Sequence, residues 1–179
     1  ELDVYYDADR RVFEVYHLFA VDQETTCDTL LLCLQTMKSW SDAHRGHHPF
    51  LVLMEIKGVQ TEAQEIPLLR DLEERILSVW PWERLIYPDL ITGGEGSLKD
   101  ALAARGWPVL GTVRGRGLFV LHEGGRLRAR YTKNGTSTAG RVLFPDAYGD
   151  TESPLAAFHS INNPIGGREA IERSVRAGH

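Results

Sequence analysis

The sequence of 179 residues predicts an α/β fold, namely a (β/α)8 TIM-type barrel that is truncated at both ends. Strand and helix patterns alternate along the chain, which is typical of parallel strands joined by helical crossovers. Polar side chains gather at the ends of predicted strands, where barrel enzymes carry their active sites. Because complete barrels have about 250 residues, we expect roughly one unit to be missing at each end. Residues 1–179 are therefore predicted to form a single, partial barrel domain.

The first elements read as two strands, a helix and a third strand. Strand-forming residues fill 1–6 and 12–17, and Asp7–Arg10 between them has the composition of a turn. Apolar residues at helical spacing predict a helix over 28–40. The segment 50–57 is almost continuously apolar up to Glu55, which predicts a strand buried on both faces.

The rest of the chain continues the alternation. An apolar stripe predicts a helix over 62–79. Ser97–Asp100 has the pattern of a capping box that opens a helix, and Gly106 is a helix-ending residue. Further strands are predicted over 117–122, 141–144 and 156–161, and a final helix over 167–177.

Composition argues against nucleic-acid binding and against a membrane-spanning segment. The hydrophobic content of 42% and charged content of 25% are ordinary for a soluble globular protein. A net charge of −5 with no basic run predicts that the chain does not bind nucleic acid. No apolar stretch approaches the roughly 18 residues that span a bilayer. The chain begins on strand residues without an initiator Met, and we expect that a preceding segment is absent.

The two cysteines leave two interpretations open. Within one helix, Cys27 and Cys33 would lie about 9 Å apart along the axis, which is too far for a disulfide. A disulfide becomes compatible with the spacing if Cys27 precedes the helix. Two buried thiols on an apolar face fit the pattern equally well, so the cysteines do not settle the compartment.

Three carboxylates and an imidazole follow the strand pattern. Glu1 and Asp3 are two residues apart on a strand and therefore share a face. Glu55 and Lys57 share a face in the same way, and a carboxylate that follows apolar residues inward is costly unless it is paired or binds a metal. An all-oxygen set of ligands favours Ca²⁺ or Mg²⁺ over zinc. His17 ends the second strand and is expected to bring an imidazole to the same rim as the carboxylates.

Other polar clusters are weaker candidates. His44, His47 and His48 are clustered as zinc ligands often are. They precede a strand, however, which places them at the face of a barrel opposite its active site, so a role in the loop or in stability is expected instead. The run Arg114-Gly-Arg-Gly lacks a following helix N-terminus, which makes it weak evidence for an anion loop. Arg116 remains a candidate phosphate contact if the strand after it is short.

These motifs resemble a known superfamily. Glu1-Leu-Asp3, a strand ending in His17, and Leu53-Met-Glu-Ile-Lys57 resemble the phospholipase C-like phosphodiesterases. Six further segments narrow the resemblance to the bacterial and fungal family of calcium-dependent phosphoinositide phospholipases C, along essentially the whole chain. They are Cys27-Asp-Thr-Leu, Cys33-Leu, Trp40-Ser-Asp-Ala-His-Arg-Gly-His47, Gly106-Trp-Pro108, Arg114-Gly-Arg-Gly-Leu-Phe-Val120 and Ile161-Asn-Asn-Pro164. The last departs from the family's usual Asn-Asp-Pro.

The resemblance implies roles for particular residues. Glu1, Asp3 and Glu55 match the metal ligands, with Ca²⁺ as the implied cofactor and Mg²⁺ as the alternative. His17 matches the second of two histidines that flank the scissile phosphodiester, and the first is expected upstream of this sequence. Lys57 matches a phosphate-facing position of the glycerophosphodiesterase branch.

The implied function is a phosphoinositide phospholipase C that uses general acid or base catalysis, with the choice between acid and base left open for His17. Its partners would be a phospholipid or glycerophosphodiester and the membrane surface, and its location extracellular or secreted. A glycerophosphodiesterase or a sphingomyelinase D-like lipase is the alternative enzyme. A catalytically inactive barrel fragment used for binding is the alternative outside enzymes.

Overall fold

The computed structural model describes residues 1–16, 26–58, 61–94 and 96–178. The strands are β1 (Leu2–Asp7), β2 (Val12–Val15), β3 (Phe50–Lys57), β4 (Gly117–Leu121) and β5 (Phe144–Pro145). The helices are α1 (Leu30–Ala43), α2 (Glu62–Leu77), α3 (Pro88–Thr92), α4 (Leu98–Arg105), α5 (Leu110–Val113), α6 (Gly125–Tyr131) and α7 (Arg168–Arg176), with a 3-10 turn at Trp82–Arg84. The fold is α/β with a mixed sheet, and these strands do not close into the predicted barrel.

Two compact units make up the chain. The first contains Glu1–Ile86 and Leu110–Phe119, and the second contains Tyr87–Val109 and Val120–His179. The boundary falls within β4: the strand belongs to the first unit up to Phe119 and to the second from Val120. The single partial barrel domain stays a prediction from the sequence.

The sheet of the first unit has the order β2-β1-β3-β4. β1 and β2 form an antiparallel hairpin in which Val4 pairs with Val15, as the turn at Asp7–Arg10 predicts. β1 and β3 run parallel, with Asp3 opposite Glu55. The sheet is therefore mixed, because a short turn permits only an antiparallel return.

Only one face of β3 is buried. Val52, Met54 and Ile56 are buried, whereas Leu51 on the opposite face is 44% exposed. The prediction of burial on both faces is therefore wrong for the described residues. The reason is that the closed barrel, whose interior would cover the face of Leu51 and Glu55, does not form among them.

Local capping signals set the helix starts in the first unit. The Thr29 hydroxyl accepts the N–H of Leu32 at the start of α1. A capping box between Thr61 and Gln64 opens α2. Behind these helices, Trp80 is fully buried against Phe50 and donates its indole N–H to the Leu34 carbonyl.

Cys27 and Cys33 form a disulfide, with Cα atoms 5.2 Å apart. The bridge is possible because α1 begins only at Leu30. Cys27 therefore lies before the helix, where the chain can bring it close to Cys33 in the first turn. The spacing left this pairing open, and the structure resolves it. None of the described helices combines the length and the apolar character that crossing a membrane requires.

In the second unit, the end of β4 pairs in parallel with β5, so that Val120 lies opposite Phe144. The strand predicted over 141–144 is displaced to Phe144–Pro145, because the backbone N–H of Leu143 bonds to Tyr131 and not to a neighbouring strand. The Arg141 guanidinium donates to the Tyr131 carbonyl, and the Leu143 N–H donates to the Tyr131 hydroxyl. The strand predicted over 156–161 is reduced to a single bridge between Asp146 and Phe158.

Candidate metal and phosphodiester site

The first unit brings two of the predicted ligands to adjacent strands at the same level. Asp3 on β1 and Glu55 on β3 are directly paired in the parallel register. Paired residues of neighbouring strands point to the same face, at about 4.8 Å separation between the strands. Glu1 lies two residues before Asp3 and shares that face by alternation. The register therefore places Glu1, Asp3 and Glu55 together on the face of the sheet opposite to Val52, Met54 and Ile56.

Lys57 lies within the same group. Its ammonium is 2.7 Å from a carboxylate oxygen of Glu55 and 3.8 Å from one of Asp3. Partial burial opposes the charge on Lys57, but the hydrogen bond with Glu55 and the charges of Asp3 and Glu55 outweigh that effect and raise its pKa. Lys57 therefore stays protonated and neutralises part of the acidic charge.

The donor set fits a hard divalent cation. Ca²⁺ prefers six to eight oxygen ligands and accepts carboxylates readily. Glu1, Asp3 and Glu55 offer carboxylate oxygens from neighbouring strands, and one ammonium leaves the group with a net negative charge. Asp3 is mostly buried, with 13% of its side chain exposed. Water would therefore screen the attraction between Asp3 and a bound cation only partly.

His17, the predicted catalytic residue, lies outside the described residues. Of the described residues on either side of it, Val15 donates its N–H to the Asp28 carbonyl at 3.1 Å. The role of His17 stays a prediction from the sequence.

Arg116 lies at the far end of the strands from this group. It comes immediately before β4, whose first residue, Gly117, packs on the ring of Phe50 at the start of β3. Glu55 is five residues further along β3, about 16 Å away at the rise of a strand. The Arg116 guanidinium donates to the Leu85 carbonyl. The structure thus gives Arg116 a contact at the start of the strands and does not bring it to the carboxylates.

The histidine cluster that precedes β3 has local partners. Both ring nitrogens of His47 are within hydrogen-bonding distance of a partner, the Ser41 hydroxyl at one and the His48 carbonyl at the other. His44 contacts the Trp40 carbonyl through Nδ1. These bonds support the predicted role in the loop.

The second unit contains a polar pair that the sequence interpretation missed. His122, which follows β4, contacts Asp146, which follows β5, with 2.7 Å between Nδ1 and Oδ2. No motif joins the two residues in sequence. The available signal was that each comes directly after a strand, but β5 was predicted too early for Asp146 to be recognised.

One protein family matches nearly the whole chain. The family described as "Phosphoinositide phospholipase C, Ca2+-dependent" matches residues 2–179. Among proteins with curated descriptions, none is significantly similar to the chain.

Solved structures show a related fold. A Ca²⁺-dependent phosphatidylinositol-specific phospholipase C from Streptomyces antibioticus has a TM-score of 0.66 and 22% identity over 87% of this chain. A calcium-dependent phosphoinositol-specific phospholipase C from Pseudomonas sp, described as a myoinositol complex, has a TM-score of 0.67 and 24% identity over 88% of this chain. The chain spans 60% of the length of each. By the family match over nearly all of its residues, the chain belongs to the Ca²⁺-dependent phosphoinositide phospholipase C family.

Proposed function

We propose that the protein is a metal-dependent phosphodiesterase of phosphoinositide phospholipase C type. The observation that carries this proposal is the register that pairs Asp3 with Glu55, together with the ammonium of Lys57 2.7 Å from Glu55. Family membership supports the reaction class and the preference for Ca²⁺. The substrate is a phosphodiester in an inositol phospholipid, and contact with a membrane surface follows from a lipid substrate.

In this proposal Glu1, Asp3 and Glu55 hold the cation. When bound, the cation supplies positive charge that polarises a phosphoryl oxygen and lowers the pKa of an attacking hydroxyl. Lys57 orients Glu55 and carries a positive charge that suits an anionic phosphodiester. His17 serves as the general acid or base.

A second candidate is a glycerophosphodiester phosphodiesterase. The Lys57 ammonium favours it, since a Glu-x-Lys pair is the feature that the sequence shares with that branch, and the structure joins the two side chains. The two candidates differ in the nucleophile. Attack by an inositol hydroxyl gives a cyclic phosphate, and attack by a glycerol hydroxyl gives a cyclic glycerophosphate.

We also propose an extracellular or secreted location. The disulfide between Cys27 and Cys33 supports it, because disulfides persist mainly in oxidising compartments.

The test is an assay of the natural protein on vesicles that contain phosphatidylinositol, with Ca²⁺ or Mg²⁺ titrated and products followed by phosphorus NMR. We expect Ca²⁺-dependent release of a cyclic inositol phosphate. Glu55→Gln and Asp3→Asn are expected to weaken Ca²⁺ binding by at least about tenfold. Loss of a group that only supports a metal ligand already lowers metal affinity by about that factor, and loss of a ligand should cost no less. Glu83→Gln, at an exposed residue in the 3-10 turn of the same unit, is the matched control.

Three results would count against the proposal or a part of it. Activity that persists without divalent cations would exclude the metal role of the carboxylates. Release of a cyclic glycerophosphate from glycerophosphoinositol, with no product from phosphatidylinositol, would favour the second candidate. Equal Ca²⁺ affinity in Glu55→Gln and in Glu83→Gln would remove the residue assignment while leaving the reaction class intact.

A further inference from the structure

The second unit carries a group of cationic side chains on α6 and in the segment that follows it. The sequence from Gly124 to Pro145 contains five basic residues and no Asp or Glu, although acidic residues outnumber basic ones, 25 to 20, in the whole chain. The five are Arg126, Arg128, Arg130, Lys133 and Arg141. A local excess of one sign of charge creates a potential over its own part of the surface, so this segment is positive within a chain of net charge −5.

Three of these cations lie along one side of α6. Arg126 and Arg130 are four residues apart, and Lys133 follows three residues later, which is the spacing of neighbours on one side of a helix. Arg126 and Lys133 are exposed and Arg130 is half-buried, whereas Leu127 and Tyr131 on the adjacent side are buried. We call Arg126, Arg130 and Lys133 the basic strip.

The stability of the helix does not account for the basic strip. The helix dipole favours a cation at the C-terminal end, where the Arg141 guanidinium donates to the Tyr131 carbonyl. The same dipole disfavours a cation in the first turn, where Arg126 lies. Arg128, on another side of the helix, donates to the Asp146 carbonyl and adds a fixed charge beside the strip.

Three carboxylates lie next to the segment in sequence or through a hydrogen bond. Asp146 follows it directly, and its side chain is fully buried. Glu123 precedes it, and Asp89 accepts the N–H of Gly140 within it. Against five cations, the carboxylates of Glu123 and Asp89 leave a net positive charge at this surface.

The arginines of α7 provide a comparison within the same unit. Arg168 and Arg176 contact Glu172, and Arg173 lies 3.8 Å from Glu169. Charges that alternate and pair four residues apart are typical of a solvated helix face. Since α6 contains no Asp or Glu, this compensation within the helix is not available to the basic strip.

We propose that the basic strip is the surface by which the protein docks on an anionic lipid bilayer. The assignment rests on the proposed function, because an inositol phospholipid carries the negative charge of its phosphodiester at the bilayer surface. A chain of net charge −5 is repelled by such a surface, and a local group of cations offsets the repulsion within a Debye length, about 10 Å at about 0.1 M salt. Each Lys or Arg near an anionic bilayer strengthens binding about fivefold.

The experiment measures co-sedimentation of the natural protein with vesicles of phosphatidylcholine and phosphatidylserine in Ca²⁺-free buffer at about 0.1 M salt. Phosphatidylserine supplies negative charge without being the proposed substrate, so binding is measured apart from turnover. We expect Arg126→Gln, Arg130→Gln and Lys133→Gln together to weaken binding about a hundredfold, and each alone about fivefold. Raising the salt to about 1 M, where the Debye length is about 3 Å, should release the wild-type protein.

The matched control is Arg168→Gln, Arg173→Gln and Arg176→Gln together, which removes the same number of charges from an exposed helix of the same unit. It should bind the vesicles within about threefold of the wild type, because glutamates on α7 compensate those arginines. Circular dichroism checks the fold of both triple variants. If the α6 triple variant does not fold, the three single variants decide by the same comparison.

Failure of the docking surface and failure of the proposed function give different results. A wild-type protein that does not bind the vesicles, or an α6 triple variant that binds less than about tenfold more weakly than the α7 control, overturns the docking surface and leaves the proposed function standing. Tighter binding to a DNA duplex than to the vesicles, lost in the same α6 variant, would assign the strip to nucleic acid and also overturn it. Vesicle binding that needs the strip, in a protein that cleaves no phosphatidylinositol, supports the docking surface and overturns the proposed function.

Discussion

Asp71 on α2 joins that helix to the hairpin of β1 and β2, and its replacement by Asn is a direct test of how the hairpin is held. The carboxylate is nearly buried, at 4% exposure. It accepts hydrogen bonds from the Tyr6 hydroxyl and from the Arg11 guanidinium, whose Nε is 2.8 Å away. Arg70 on the same helix adds further contacts. Asp71→Asn is expected to weaken these contacts, because the amide NH₂ of Asn is a donor and would face the donor groups of Arg11.

The magnitude follows from these contacts. A hydrogen bond to a charged group contributes about 1.5–3 kcal/mol. Arg11 is 56% exposed, so solvent screens its share and the contributions do not sum fully. Since Asn retains one acceptor for Tyr6, we expect the free energy of unfolding to fall by about 2–3 kcal/mol. For a chain of this size that corresponds to a decrease in Tm of about 4–12 °C.

The effect depends on pH in a defined direction. The hydrogen bonds from Arg11, with those from Tyr6 and Arg70, hold the pKa of Asp71 well below its usual range. A lowered carboxyl pKa stabilises the folded state above the unfolded value of about 3.9 and loses its effect as the pH falls below it. The difference between the wild type and Asp71→Asn should therefore be constant from about pH 5 to pH 9 and shrink below about pH 4.

Tyr6 gives a second signature at high pH. Burial, then the hydrogen bond and charge of Asp71, raise the pKa of Tyr6 to about 12. A raised pKa contributes its full stability below the unfolded value of about 10 and loses it between that value and about 12. Tyr6→Phe should abolish this loss between about pH 10 and pH 12.

Urea unfolding followed by tryptophan fluorescence measures the free energy at each pH. Glu74→Gln is the control, since Glu74 lies on the same helix and contacts Arg11 at 3.2 Å but is 60% exposed. It should change the free energy of unfolding by less than about 1 kcal/mol. The reasoning is refuted if Asp71→Asn and Glu74→Gln unfold at the same urea concentration, or if the effect of Asp71→Asn grows below pH 4.

Three further outcomes are expected. Cys27→Ser with Cys33→Ser should cost about 2 kcal/mol of unfolding free energy, since the disulfide closes a short loop, and dithiothreitol should produce the same decrease in the wild type but none in the double variant. Gly117→Ala places a Cβ 2.7 Å from the ring of Phe50 and should destabilise the protein by about 1–3 kcal/mol in urea unfolding, whereas an unchanged midpoint would show that the ring shifts freely. Lys57→Met removes the ammonium that lies beside the carboxylates. It should strengthen Ca²⁺ binding about fivefold in calorimetry, because about 1 kcal/mol of repulsion between the ammonium and the cation is lost. Weaker binding would mean that Lys57 organises the ligands.

Elements with local signals could be predicted from the sequence. β3 matches the prediction at both ends because its apolar run is bounded by residues that end strands. α4 also matches, since the Ser97 side chain accepts the N–H of Asp100 and Gly106, with φ of 68°, ends the helix. The shared face of Asp3 and Glu55 was predictable for a related reason, because strand alternation and a parallel register leave few arrangements.

Features that depend on distant partners could not be predicted. β5 is two residues long because the hydroxyl of Tyr131, twelve residues earlier, accepts the Leu143 backbone N–H that a longer strand would use. The short helices α3, α5 and α6 have too few turns to show a helical period. The pairing of His122 with Asp146 joins residues 24 positions apart, and nothing in the local sequence of either residue indicates the other as its partner.

The hydrogen bond between the Val15 N–H and the Asp28 carbonyl has a consequence for how this protein can be altered. It lies next to the bridge from Glu14 to Thr29, and Thr29 is the residue that caps the start of α1. The disulfide from Cys27 to Cys33 ties the same short stretch to the first turn of that helix. A substitution that disturbs the start of α1 would therefore also reach β2, the edge strand of the sheet that carries the carboxylates.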